Sequence, residues 1–282
     1  MKIGVSGASG QLGKAVLKEL IGRGGGHAIV GISRTPTMVL APVQGRHGDY
    51  DQPDSLVLAY AGLDRLLIIP SADLAPGARA RQLVAAIDAG VQAGVGHIVL
   101  VSSAGTRQAA EPAVGAAYWI GEQHLMKTAA RWTVLRMNFY AEAFGLEVAR
   151  SLATGMLTGL GENRVAFVSR DDVGAAAAGL LLGEGHAGAV YEATGPAAIC
   201  GAERAALVAE LTGKPFGYVI ISEAQLRGGL AKAGLTPELV ETVVGLRTKF
   251  VDGDFDVVSG CVERLAGRPP RTLSDVLRTM LA

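Results

Sequence analysis

Three glycines spaced three residues apart carry the sharpest chemical signal in this sequence. They stand in Gly7-Ala8-Ser9-Gly10-Gln11-Leu12-Gly13, directly after the apolar run Lys2–Ser6 and directly before a helical pattern. A turn this tight needs backbone angles that glycine adopts without strain. With side chains absent, a phosphate can touch the backbone, and the helix start offers unpaired N–H groups and a partial positive charge. Strand before and helix after make the loop a dinucleotide cradle, with Gly7, Ser9, Gly10, Gln11, Leu12 and Gly13 against the pyrophosphate. The bland alternative is a plain turn in a chain that holds 39 glycines.

The second strand ends Ile32-Ser33-Arg34. Folds that prefer NAD place an acidic residue near this point, on the ribose 2′-hydroxyl. Here a guanidinium stands instead, and its fork of donors matches a phosphate. The expected cofactor is therefore NADPH ahead of NADH, with a solvated surface arginine as the alternative. Asp49, after the third strand, either frames the adenine or makes an ordinary Asx turn.

Other chemistries find little support. The five histidines are scattered and none has a partner at ligand spacing, so no metal is expected. No Gly-x-Ser-x-Gly elbow occurs, which removes the α/β-hydrolase reading. Cys200 and Cys261 have no nearby Cys or His, so reduced thiols are expected. Lys plus Arg equals Asp plus Glu at 26 each, with no basic stripe for nucleic acid. The start Met1-Lys2-Ile3-Gly4-Val5 reads as strand rather than signal peptide. The longest apolar stretch, residues 173–183, is too short to span a bilayer. A cytoplasmic protein without a membrane partner is expected.

The elements that must hold the loop alternate regularly. Strands are predicted over 2–6, 28–33, 43–48, 65–70, 97–102 and 132–137, and helices over 11–23, 53–60, 78–93 and 116–129. Apolar runs without alternation suit strands buried on both faces. Strand–helix alternation predicts a Rossmann-like α/β fold, a doubly wound parallel sheet. Later come a helix over 139–153, strands at 165–168 and 189–193, and a helix over 172–182 between them. Helices then dominate, with a capping box at Ser222 and Gln225, Pro237 at a first helical position, and Thr272 before the last helix. Residues 1–138 are expected to form the dinucleotide domain, with 164–195 returning to it. Residues 139–163 and 196–282 are expected to form a smaller, mostly helical lobe.

The Gly7–Gly13 loop, Gly48-Asp49-Tyr50-Asp51, Ser102-Ser103 and Leu135-Arg136-Met137-Asn138-Phe139-Tyr140 together resemble the atypical short-chain dehydrogenase/reductases. Within them the chain is similar to the NmrA-like branch, which holds type 2 quinone oxidoreductases, triphenylmethane dye reductases and flavin-free azoreductases. Ser169-Arg170-Asp171-Asp172-Val173 and Ala193-Thr194-Gly195-Pro196 are similar to later segments of that branch.

The resemblance implies hydride transfer from NADPH, without flavin, to a quinone or azo compound. Orthodox members of the superfamily carry Tyr-x-x-x-Lys, but here Tyr118 is followed by Glu122 where the lysine would stand, so the alcohol-dehydrogenase mechanism is not carried over. Glu122 is either structural or close to the nicotinamide ribose. Tyr118 is the best proton donor by chemistry, with solvent as the alternative. Pro70, Ser71, Ser102, Ser103 and Asn138 follow strand ends and are expected along the cofactor. Phe139 and Tyr140 are expected either to line the acceptor pocket or to pack as core. The rival readings are an NADP-binding sensor that turns nothing over, an isomerase using bound NAD, and a degenerate interaction module. Oligomeric state is left open.

Overall fold

The computed structural model describes the whole chain except Leu74, Ala110, Glu111, Pro112, Val114 and Ala282. The elements run β1 Lys2–Ser6, α1 Gln11–Arg23, β2 Ala28–Ser33, a 3-10 turn Pro36–Met38, β3 Gln44–His47, α2 Pro53–Tyr60, β4 Arg65–Ile68, α3 Ala78–Gln92, β5 His97–Ser103, α4 Ala116–Thr128 and β6 Trp132–Met137. There follow α5 Ala141–Ser151, β7 Met156–Gly159, β8 Arg164–Val165, α6 Arg170–Leu182, β9 Ala189–Ala193, β10 Ile199–Cys200, α7 Gly201–Thr212, β11 Gly217–Ile220, α8 Glu223–Lys232, α9 Pro237–Val251, α10 Cys261–Ala266 and α11 Leu273–Leu281.

The chain divides into two units. The first comprises Met1–Met137, Arg170–Ala193 and Cys261–Pro269, and the second comprises Asn138–Ser169, Thr194–Gly260 and Pro270–Ala282.

The first unit is a Rossmann-like sheet of seven strands in the order β3-β2-β1-β4-β5-β6-β9, with every pairing parallel. The order reverses between β1 and β4, where Val5 pairs Gly31 on one side and Leu67 on the other. Ligand crevices in such sheets open at the strand C-termini beside that reversal. The central strands are apolar on both faces because helices cover both. Ile32, Leu66, Ile68, Ile98, Leu100 and Val134 pack on one side with Leu56 and Tyr60 of α2, Leu83 and Ile87 of α3, and Leu125 of α4. Helices α1 and α6 belong to the other side and pack against each other.

Helix α6 also explains the return of residues 261–269 to this unit, which no sequence pattern indicated. Its run Val173-Gly174-Ala175-Ala176-Ala177-Ala178 is buried all round, and a helix apolar on every side needs neighbours on every side. One neighbour is α1: a Cβ on Gly174 would lie 2.9 Å from the Ala15 Cβ. Another is α10: a Cβ on Gly179 would lie 2.0 Å from the Leu265 carbonyl oxygen. Arg23, at the end of α1, fastens this layer by donating to the carbonyls of Ala175 at 2.9 Å and Ala266 at 3.1 Å. Thus residues 261–269, read from sequence as part of the smaller lobe, belong to the first unit.

The second unit is mainly helical. It contains two small sheets, β8 antiparallel to β10 and β7 parallel to β11. Strand pairing at 164–165 replaces the longer strand expected over 165–168, and Val168 makes only an isolated bridge to Tyr140. Among the described residues, no helix is long and apolar enough to cross a membrane.

Candidate functional site

The loop after β1 folds back over the end of β2. Gly7 has φ +88°, and the N–H groups of Gly7 and Ala8 both donate to the Ile32 carbonyl, at 3.0 and 3.1 Å. The three glycines do different work. A Cβ on Gly13 would lie 2.3 Å from the Gly7 carbonyl oxygen and 2.7 Å from the Ala8 Cα, so Gly13 lets α1 sit against the loop. A Cβ on Gly10 would meet only the Gly7 oxygen, at 3.3 Å, and Gly10 is exposed. Gly10 is also the N-cap of α1 and supplies no side-chain cap, and the first turn holds no acidic residue. The helix therefore presents uncapped N–H groups at an open glycine, which is what an approaching phosphate requires. Gln11 is exposed there, whereas Leu12 is buried. Ser9 bonds Ser33 at 2.8 Å, and Ser33 accepts from the Thr35 N–H at 3.0 Å, tying the loop to the end of β2.

Arg34 follows β2 and is exposed. Asp49 accepts from the Asp51 N–H at 3.1 Å, the Asx turn weighed above. Its other hydrogen bonds are local too, since its own N–H donates to the Ser55 hydroxyl at 2.9 Å. The Tyr50 hydroxyl donates to the Ile69 carbonyl at 2.8 Å, beyond the end of β4, and burial pushes its pKa up.

Beyond β4, Pro70 and Ser71 are half-buried. The Ser71 hydroxyl donates to the Gln82 side chain on α3. Gln82 in turn donates to both Asp51 oxygens, at 3.1 and 3.0 Å. Arg79, one turn earlier on α3, donates from Nε to the Ser71 carbonyl at 3.0 Å and lies over the Tyr118 ring, 5.3 Å from its centre. Sequence reading missed Arg79 and Gln82.

One turn along α4 from Tyr118 lies a buried charge network. Glu122 is fully buried and accepts from the Ser102 hydroxyl at 2.5 Å. Arg136 on β6 grips the same carboxylate with two hydrogen bonds, at 2.9 and 2.7 Å, and reaches Glu192 on β9 at 3.3 Å. The bonds to Glu122 raise the Arg136 pKa, and burial raises that of Glu192. Ser102 and Glu122 thus stand in the interior with protein partners. Ser103, half-buried, donates to the Ala104 carbonyl at 3.2 Å and is the strand-end serine with surface to offer.

In the second unit, Asn138 is buried and engaged at both ends. Its amide donates to the Phe255 carbonyl at 3.1 Å, and its oxygen accepts from the Phe139 N–H at 2.7 Å. Phe139 packs edge-on against Phe250, Phe167 and Phe255, with ring centres 5.0, 6.1 and 6.3 Å away. Tyr140 is the N-cap of α5. No group of three His, Cys, Asp or Glu side chains capable of holding a metal occurs among the described residues.

A family model described as NAD(P)H-binding matches residues 7–183, from the first loop glycine to the end of α6. The chain belongs to the NAD(P)H-binding family. Among the relatives of this family member is quinone oxidoreductase 2 of Escherichia coli, 31% identical over 280 residues, spanning 97% of this chain and 96% of that one. Another is the NAD(P)H azoreductase of Xenophilus azovorans, 28% identical over 243 residues, 85% of this chain and 83% of that one. The crystal structure of an Escherichia coli NADPH-dependent quinone oxidoreductase complexed with NADPH superposes with a TM-score of 0.91 at 28% identity, covering 99% of this chain and all of that one. The family member thus falls in the NmrA-like branch of the atypical short-chain dehydrogenase/reductases and is an NAD(P)H-dependent reductase.

Proposed function

We propose that this reductase uses NADPH, without flavin or metal, to reduce a quinone or an azo compound. The observation that carries the reading is the pairing of an open glycine cradle at Gly10 with a Tyr118 whose lysine position holds a carboxylate, Glu122, already gripped by Arg136. An alcohol substrate needs that lysine beside the tyrosine; an electron-poor ring does not. The names of the relatives, a quinone oxidoreductase and an azoreductase, favour the same class of acceptor.

The bound nicotinamide supplies the hydride. The chain's own residues supply position. The uncapped first turn of α1 and the Gly7–Gly13 backbone hold the pyrophosphate, and Arg34 holds the 2′-phosphate. Pro70, Ser71 and Ser103 line the nicotinamide end. Glu122 and Arg136 act from beneath by fixing Ser102. Tyr118, half-buried at the start of α4, gives the proton that completes reduction from its hydroxyl.

The test is NADPH oxidation by purified, flavin-free protein against a panel of quinones and azo dyes. Saturable turnover of either class is expected. Tight NADPH binding with no turnover of any acceptor would overturn the reading and leave a dinucleotide-binding sensor in its place.

A further inference from the structure

The cation missing from the position four residues after Tyr118 is supplied from a different helix. Helices α3 and α4 lie side by side, close enough that a Cβ on Gly121 would lie 2.9 Å from the Leu83 side chain. Both start at the C-terminal edge of the sheet, because each follows a parallel strand. Gly77, with φ +70°, turns the chain into α3, and Arg79 is the second residue of that helix. Tyr118 is the third residue of α4. The two first turns are neighbours, and they stack the Arg79 guanidinium on the Tyr118 ring.

Arg79 is oriented but not neutralised. Its Nε is bonded to the Ser71 carbonyl, and Ser71 is braced by Gln82. Among the described residues, no carboxylate pairs with Arg79 and its two terminal nitrogens have no hydrogen-bond partner. The nearby acids have other partners: Asp51 accepts from Gln82 and faces Arg81 at 3.8 Å, and Asp73 accepts from the Ala75 N–H at 2.9 Å and from Gln82 at 3.5 Å. Neither α3 nor α4 carries an acidic residue in its first turn, so both helix dipoles add positive potential at this edge. Glu122, the carboxylate nearest in sequence to Tyr118, is held by Arg136.

We propose that Arg79 is the electrophilic residue of the site, receiving the acceptor oxygen on which negative charge appears as hydride arrives. This role rests on the reductase reading above. A quinone that gains a hydride becomes a hydroquinone monoanion, the reduced nicotinamide is oxidised, and one proton completes the hydroquinone. A fixed guanidinium beside the developing anion stabilises it without having to reorganise. The same charge selects acceptors that already carry an anionic group, so sulfonated quinones and dyes should be favoured over cationic ones. Stacking on the Tyr118 ring holds the guanidinium plane while its free edge faces the acceptor.

The experiment compares wild type, Arg79→Met and Arg79→Lys. It measures turnover of a neutral naphthoquinone and its sulfonated counterpart, the Kd for NADPH, and calorimetric binding of a naphthalenesulfonate, which has the ring and the charge but accepts no hydride. Thermal melts check folding, and Arg79→Lys retains the charge should Arg79→Met fold poorly. Arg79→Met is expected to lose about 100-fold in kcat/KM. The loss should be larger for the sulfonated quinone, with NADPH affinity unchanged and naphthalenesulfonate binding weakened about tenfold. Arg79→Lys should recover part of both losses. Turnover by Arg79→Met equal to wild type overturns the inference alone, as does a loss of NADPH affinity that accounts for the whole defect. A wild type that binds NADPH but reduces neither quinone nor an azo dye overturns the proposed function, and this role with it.

Discussion

Arg136 holds Glu122 through both carboxylate oxygens, and Glu122 has no solvent-exposed surface. A pair of this kind tolerates loss of the partner that leaves a buried charge alone less well than loss of both, because a lone buried charge has no water to stabilise it. Arg136→Met, which strands the fully buried Glu122 carboxylate, should therefore cost about 3 kcal/mol in urea unfolding, and adding Glu122→Leu should recover much of that. A double variant no more stable than Arg136→Met would show that the pair contributes through something other than charge pairing.

Gly10 and Gly13 look alike in sequence and differ in space. Gly13→Ala would drive a methyl into the Gly7 carbonyl and Ala8 backbone, so thermal stability should fall along with NADPH binding. Gly10→Ala meets no protein atom closer than 3.3 Å. It should fold with nearly the wild-type melting temperature yet bind NADPH at least tenfold more weakly, since its methyl occupies the place of a phosphate. Equal melting temperatures for the two variants would contradict this division of roles.

Arg34 stands exposed where β2 ends. Its removal should weaken NADPH binding by roughly 10- to 100-fold, the usual range for a charge-assisted contact to phosphate, and leave NADH binding nearly unchanged. Isothermal titration with both cofactors decides it. Equal losses for the two would sink the 2′-phosphate assignment.

His97 should make stability fall in mild acid. The Thr133 hydroxyl donates to the His186 carbonyl at 2.6 Å, so the His97 Nε2–H, 2.9 Å away, is the donor to Thr133. Burial lowers the His97 pKa below its ordinary 6.5, with Arg131 and Arg65 adding to the effect. On unfolding, the imidazole regains that ordinary value. Stability from this group is therefore whole above about pH 6.5 and declines below it by up to about 1.4 kcal/mol per pH unit, because the unfolded chain takes up a proton that the fold excludes. His97→Gln keeps a donor for Thr133 and should flatten the decline between pH 6.5 and 5.5. Some slope should survive from His186, which burial shifts in the same direction. A wild type whose urea midpoint is level across that range would rule the effect out.

The sheet was legible in the sequence because its central strands are apolar on both faces and bounded by turn residues. The expected limits of β1, β2, β6 and β9 coincide with the observed ones. The small strands β7 and β11 were not, since Met156-Leu157-Thr158-Gly159 and Gly217-Tyr218-Val219-Ile220 gain meaning only from each other, far apart in the chain. The glycine loop announced itself because its chemistry lies within one segment. Arg79 and Gln82 did not, because their partners Ser71, Tyr118 and Asp51 come from other segments, and helical periodicity cannot report a contact between helices. Glu122 stayed ambiguous for the same reason: its partner Arg136 lies on the next strand and was quoted in a motif without a role.

The chain passes between its two units at residues 137–138, 169–170, 193–194, 260–261 and 269–270. Neither unit can therefore be isolated by trimming one end. A truncation after Met137 would strip the sheet of its edge strand β9 and leave α1 without α6, and one after Gly260 would uncover the Gly179 face of α6. Grafting the second unit of a relative onto this sheet would require replacing three separate segments across five joints. In this scaffold the second unit is therefore not an exchangeable module, and its properties change by substitution within an interleaved chain rather than by wholesale replacement.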